Sequence, residues 1–244
     1  MHSGEFIAET LDSVAALTTP HEHIVFEGGS TDNTVEILEA RDDDDLIWAS
    51  EPDRGQTHAV NKGLDLARGE LLGWLNADDA YVSHQVDAAV ERMLADPGIH
   101  AVFGFLDVID GAGRFQRQYR CGPFNWHRYL YAGDYVATPT IIFRRSLLKQ
   151  TGKLDEAYAD AADYDFYLRL LRAANVVLIR ESLVRFRFHE QSKTASNVAL
   201  QNREAMEIRF KYTSNPLQRA LMRGIRRVKS VRERIAPPWP DPGA

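Results

Sequence analysis

The chain has 244 residues, 44% of them hydrophobic and 26% charged, with a formal net charge of −6. That size and balance are those of an ordinary soluble globular protein, with room for one large domain or one domain and an appendage. A single cysteine, Cys121, excludes an internal disulfide framework and fits a reducing compartment; no apolar run reaches the roughly 20 residues of a bilayer span; and the acidic balance argues against general nucleic-acid affinity.

The first residues, Met1-His2-Ser3-Gly4-Glu5, lack the basic and apolar regions of a secretory signal, so none is expected. Phe6, Ile7, Thr10, Leu11, Val14 and Leu17 fall at helical spacing and predict a helix over 5–17. A short strand at 23–26 leads into Glu27-Gly28-Gly29-Ser30-Thr31-Asp32, a turn with helix N-cap chemistry, and Val35 to Ala40 carry the next helix. A second strand is expected at 46–50, a turn at Asp53-Arg54-Gly55, a helix over 56–67 and a third strand over 70–75. This alternation predicts an α/β fold with a mostly parallel, Rossmann-like sheet flanked by helices. Further on, a helix over 84–95, a hairpin from 101–109 to 115–120, a strand over 140–143, a helix over 161–173 and a strand at 176–179, open to continuation over 183–188, are expected. Residues 197–212 and 217–235 read as helices, the second strongly basic, and the Pro-rich end 236–244 as disordered.

Three polar clusters carry candidate chemistry. The glycines of 27–32 permit close backbone approach, and the helix after them offers free amides to an anion. Asn76-Ala77-Asp78-Asp79 follows an apolar strand; its carboxylates suit either a solvated turn or a divalent cation neutralising a diphosphate. Asp163 and Asp165 open a helix, where a carboxylate serves the helix dipole or acts as a general base. In open α/β sheets, ligands sit beyond the carboxyl ends of the strands, where the first two clusters fall. The aromatics Trp126, Tyr129, Tyr131 and Tyr135 suit sugar stacking, with core packing the expected use of most of them.

Together these segments resemble the family 2 glycosyltransferases of the GT-A fold over roughly residues 4–196. Glu27-Gly28-Gly29-Ser30-Thr31-Asp32-Asn33-Thr34, Glu51-Pro52-Asp53-Arg54-Gly55-Gln56 with Asn61-Lys62-Gly63, Trp74-Leu75-Asn76-Ala77-Asp78-Asp79, Ala162-Asp163-Tyr164-Asp165 and Phe188-His189-Glu190-Gln191-Ser192 are similar, in order and spacing, to that family's successive motifs. The resemblance implies a metal-dependent, inverting transfer of a sugar from a nucleoside diphosphate sugar to a hydroxyl acceptor, a saccharide or a lipid-linked molecule, in polysaccharide or glycolipid synthesis. It implies Asp163 as general base, Asp78 as ligand of a divalent metal (Mn or Mg), and Glu27, Ser30, Asp53, Asn61, Lys62, Asn76, Asp79 and His189 as nucleotide-sugar-binding residues. The sequence departs from the family pattern at Glu27, where the family usually has Asp, at Asn76, where it has the first acid of its metal motif, and at Ala162, where it has Glu. The family's first strand, some 10–15 residues with its turn, is not found ahead of Gly4.

The expected organisation is a GT-A domain over 1–196, N-terminally incomplete, basic helices over 197–235 and the Pro-rich end. The expected location is cytoplasmic, with peripheral contact at the inner face of the cell membrane through the basic helices. No nucleic-acid partner is expected. A second reading stays open at this point, in which the chain is an inactive or truncated relative that only binds nucleotide or protein.

Overall fold

The structure is a computed structural model and describes residues 4–132, 136–189 and 197–213. Helix α1 (Ile7–Ala15) buries Ile7, Thr10, Leu11 and Val14, the apolar face foreseen from their spacing. Strands β1 (His23–Glu27) and β2 (Leu46–Ser50) pair in parallel around the crossover helix α2 (Thr34–Glu39), in a register that sets Glu27 opposite Ser50. Helix α3 (Gln56–Leu66) then leads to β3 (Leu71–Gly73), and the polar segment 74–79 ends at the short β4 (Ala80–Tyr81). Next come α4 (Ser83–Ala95), the hairpin β5 (Ala101–Ile109) and β6 (Phe115–Tyr119), α5 (Trp126–Ala132), β7 (Ile142–Arg144), α6 (Leu148–Thr151), α7 (Ala162–Leu170), β8 (Val176–Arg187) and α8 (Val198–Lys211).

The main sheet runs β3-β7-β5-β8-β4, with β6 added on β5. The α/β class is as expected, but the pairing is mixed. β1–β2 and β5–β8 are parallel, whereas β3–β7, β5–β7, β4–β8 and β5–β6 are antiparallel. The strand expected at 176–179 does continue through the segment 183–188 as one strand, β8, that follows β5 along its length with a register shift around Gly104. A Cβ on Gly104 would lie 2.5 Å from Leu183 Cγ, so only glycine lets the strands approach there. The strand expected over 140–143 starts later, because Thr138–Thr140, with Pro139, is a 3-10 turn. β4, α5 and α6 are too short to leave a periodic signal. The helix expected over 217–235 and the end 236–244 lie outside the described residues.

α7 packs on the sheet through aromatic rings. Phe143 meets Phe166 edge-on at 5.8 Å, and Tyr129 meets Tyr164 at 5.4 Å. Trp126 donates from its indole N–H to the Leu168 carbonyl at 2.8 Å, so it and Tyr129 serve packing. Tyr135 lies outside the described residues. Among the described residues, no strand precedes α1, and β1 and β3 each have a strand neighbour on one edge only.

α8 is tied to the start of α7 by ionic and hydrogen bonds. Lys211 Nζ reaches the fully buried Asp165 at 3.0 Å. The buried Glu204 accepts the backbone N–H groups of Ala159, Asp160 and Ala161 at 3.1, 2.8 and 3.0 Å. Hydrogen bonds to a charged group contribute about 1.5–3 kcal/mol. Glu204→Ala is therefore expected to lower the free energy of urea unfolding by about 2–3 kcal/mol, and a change below roughly 0.5 kcal/mol would contradict this role.

Candidate functional site

The site is built at the carboxyl ends of β1, β2 and β3. Glu27, last residue of β1, is buried and accepts N–H bonds from Gly29 at 2.9 Å and Ser30 at 2.6 Å, and the Ser50 hydroxyl at 2.7 Å. Burial alone would raise its pKa; the hydroxyl bonds from Ser30 and Ser50 and the two backbone bonds overcome that and hold it at about 2. Gly29 has φ +87°, a conformation that favours glycine, so the chain can fold back onto the carboxylate. Asp32 accepts the Thr34 N–H and hydroxyl, at 3.1 and 2.6 Å, just ahead of the next helix. Beside this loop, a Cβ on Gly28 would lie 2.5 Å from Asp53 Oδ2, so the glycine leaves room for the Asp53 carboxylate. Asp53 closes its own turn by accepting the Gly55 N–H at 2.7 Å.

The β3 tip is cross-linked to the same region. Asn76 accepts from Gln56 Nε2 at 2.9 Å and donates to Asp79 Oδ2 at 3.0 Å. Glu27, Ser30, Asp53, Gln56 and Asn76 all line one cavity of about 1050 Å³. The two neighbouring aspartates have different environments. Asp79 is 1% exposed, with Oδ1 accepting the Arg187 N–H at 3.0 Å. Burial, and then the charge of Asp78, push its carboxyl well above the usual range. The Asp78 side chain is mostly covered, 16% exposed, and its Oδ2 lies 3.2 Å from His189 Nε2. This contact joins the end of β3 to the end of β8.

Arg187 holds that junction. Its buried guanidinium pairs with Glu9 and donates to the carbonyls of Asp78 at 3.1 Å and of Asp110 and Gly111 at 3.2 Å. It also lies 4.8 Å from the centre of the Phe6 ring, which in turn meets the His189 ring at 4.9 Å.

Asp163 stands in the first turn of α7, half-buried, and accepts the Thr138 hydroxyl at 2.6 Å and the Tyr164 N–H at 2.8 Å. Asn61 is buried and clamps Leu154 through both its amide atoms at 3.0 Å. Lys62 pairs with Glu51 at 2.7 Å and covers the Phe26 ring at 4.7 Å. The structure thus brings Asp78 to His189 and gathers Glu27, Ser30, Asp53 and Asn76 on one cavity wall. Asn61, Lys62 and Asp79 are engaged in holding protein segments. Gln56, Thr138 and Arg187 were not anticipated; the only local sign of Arg187 is the charged-aromatic alternation of 185–188 just before His189.

Among the described residues, no group of three or more His, Cys, Asp or Glu is placed to hold a metal by itself. Asp78 and His189 supply one carboxylate and one imidazole, a donor set that suits a cation whose other ligands come from a diphosphate. Cys121 has its thiol pushed up to about 11 by burial, which removes it as a nucleophile at neutral pH.

The sequence matches the family described as Glycosyl transferase family 2 over residues 2–152. An uncharacterized glycosyltransferase of Mycobacterium tuberculosis (strain CDC 1551 / Oshkosh) is 33% identical over 167 residues, covering 68% of this chain and 63% of that protein. A PGL/p-HBAD biosynthesis glycosyltransferase of Mycobacterium bovis (strain BCG / Pasteur 1173P2) is 33% identical over 167 residues, covering 65% of this chain and 62% of its own length. The chain therefore spans less than two thirds of these relatives. Among solved structures, S. aureus TarS 1-349 in complex with UDP-GlcNAc matches with a TM-score of 0.71 at 21% identity, over 90% of this chain and 66% of that one. The mannosyltransferase PcManGT from Pyrobaculum calidifontis, in complex with GDP-Man and Mn2+, matches with a TM-score of 0.60 at 18% identity, over 90% and 65%. At these identities the likeness is one of fold, and that fold is GT-A-type.

The depressed Glu27 carboxyl makes stability depend on pH with a definite sign. Its contribution is fully present above the unfolded value of 4.5 and is lost as pH falls toward about 2. Native protein is expected to exceed Glu27→Gln by roughly 3 kcal/mol in unfolding free energy at neutral pH, with the difference shrinking below pH ~4.5. A pH-independent difference in denaturant titrations would contradict this assignment.

Proposed function

The chain belongs to the family 2 glycosyl transferases, and from that premise we propose that it catalyses an inverting transfer of a sugar from a nucleoside diphosphate sugar to a hydroxyl acceptor. The observation that carries this reading is the meeting of Asp78 with His189 at the strand ends, beside a cavity walled by Ser30, Asp53 and Asn76. In this reading the nucleoside lies along that wall. Glu27 and Asp79 act through the loops they fold, and Asn61 and Lys62 keep the neighbouring segments in place. A divalent cation, Mn or Mg, held by Asp78 and His189 would offset the negative charge that develops on the departing diphosphate.

Asp163 is the proposed base. Inversion forms the bond from acceptor oxygen to anomeric carbon as the bond to the diphosphate breaks, and the acceptor proton passes to Asp163. Thr138 fixes the direction of that carboxylate and so the place where the hydroxyl must sit. The acceptor class is a saccharide or a lipid-linked molecule. No described helix is long and apolar enough to cross a membrane. Contact with an anionic inner leaflet would fall to the basic stretch 219–234, outside the described residues.

The test is release of nucleoside diphosphate from UDP- and GDP-sugars, with Mn2+ or Mg2+, across a panel of saccharide and lipid-linked acceptors. Asp163→Asn should lower turnover about 100- to 10,000-fold with donor affinity nearly unchanged. Undiminished turnover in Asp163→Asn would contradict the base assignment. Tight, metal-dependent nucleotide binding with no turnover on any acceptor would favour the reading as a binding module.

A further inference from the structure

Helix α7 carries two buried tyrosines one turn apart, and their hydroxyls differ. Tyr164 Oη donates to the Leu130 carbonyl at 2.7 Å. Tyr167 is fully buried, and its hydroxyl has no hydrogen-bond partner among the described residues. Buried polar groups are nearly always paired, and one left unpaired lowers stability. The Tyr167 ring packs edge-on against Phe143 and Phe166, at 6.3 and 5.1 Å between centres. A phenylalanine would make the same ring contacts without an unpaired hydroxyl. Packing therefore accounts for the ring and leaves the hydroxyl unexplained.

The place of that hydroxyl points to Asp163. Asp163 and Tyr167 are four residues apart in α7, so they share a face of the helix. Long side chains in a helix lean toward its N-terminus, over the residue four positions earlier, and this carries the Tyr167 hydroxyl toward the Asp163 turn. Burial, and then the Asp163 carboxylate and Tyr81, push the Tyr167 phenol well above its ordinary range, so it stays protonated and keeps its O–H. Tyr81 comes from β4, where a Cβ on Gly73 would lie 2.6 Å from its hydroxyl. The charged groups on and around α7 include Asp165, which holds Arg169 at 2.8 Å and Lys211 at 3.0 Å, and Arg209, 5.5 Å from the centre of the Tyr164 ring. Glu204 of α8 takes the N–H groups of 159–161, and Tyr129 of α5 meets the Tyr164 ring.

We propose that Tyr167 is a positioning residue for the base, its O–H dipole turned to the Asp163 carboxylate so that this side chain is held ionised, ready for the acceptor proton. A hydroxyl dipole orients in the field of a nearby charge, and in a site shielded from water it acts on that charge without touching it. Thr138 fixes the carboxylate from the turn before β7, and Tyr167 acts on it from within α7. The inference rests on the reading of Asp163 as the base.

The test is Tyr167→Phe, which removes the hydroxyl alone. In the full chain, the Asp163 carboxyl is followed by carbon NMR and assigned by its loss in Asp163→Asn. It should titrate about half a pH unit or more higher in Tyr167→Phe, because the variant lacks a group that favours the ionised form. The melting temperature should stay level or rise, whereas Tyr164→Phe should melt lower. The acid limb of the kcat/KM profile should move up with the NMR titration, with KM for the nucleotide sugar nearly unchanged. Titration of Asp163 at the same pH in both proteins would overturn the proposal. A lower melting temperature with no change in that titration would assign Tyr167 to packing and overturn it equally. Undiminished turnover in Asp163→Asn, with the titration shift intact, would instead overturn the base reading, and the role of Tyr167 with it, while leaving the pairing of the two groups.

Discussion

One buried guanidinium fixes the geometry on which the site depends. Arg187, 3% exposed, binds the carboxylate of Glu9 in α1, the carbonyl of Asp78 in the turn after β3, and the carbonyls of Asp110 and Gly111 at the hairpin, while its own N–H is taken by Asp79. A buried arginine is costly unless its donors are met, and this one is met from four directions. Because the acceptors come from three separate segments, satisfying the charge also sets the distance between the ends of β3 and β8. That distance places His189, two residues after Arg187, against Asp78.

The same constraint divides adjacent, identical residues between two jobs. Asp79 points inward, where burial and the neighbouring charge push its carboxyl up and Asn76 and the Arg187 amide hold both oxygens. Asp78 faces an imidazole instead. Two carboxylates both placed inside would cost several kcal/mol in mutual repulsion and lost hydration; one inside and one at the rim keeps the rim charge available. Glu27 solves the corresponding problem at β1 differently. It is buried, but four hydrogen bonds hold it ionised, so its charge organises the Gly28–Gly29–Ser30 loop.

Much of this was legible in the residues. The turn at 27–32 and the β3 tip announce themselves because glycine, serine and aspartate act on their own neighbours within a few positions. α1, α3 and α4 are legible for the same reason, since their apolar faces repeat locally. What escaped is what depends on distant partners. Arg187 and Glu9 are 178 positions apart, and nothing local marks them as partners. Which of Asp78 and Asp79 turns inward is decided by β8. Thr138, which orients Asp163, sits in a 3-10 turn that read as the approach to a strand. The antiparallel placement of β3, β4 and β7 escaped too, because strands of two or three residues carry no period and take their direction from the sheet they join.

In the proposed reading, Asp78 and His189, set face to face by Arg187, form the protein's half of a metal–diphosphate site. Its most direct test is electron paramagnetic resonance of Mn2+ titrated into the chain with and without UDP or GDP. The account predicts that Mn2+ is retained strongly only when a nucleoside diphosphate is present, and that Asp78→Asn weakens this retention about tenfold or more. Retention by Asp78→Asn equal to that of the native chain would contradict it.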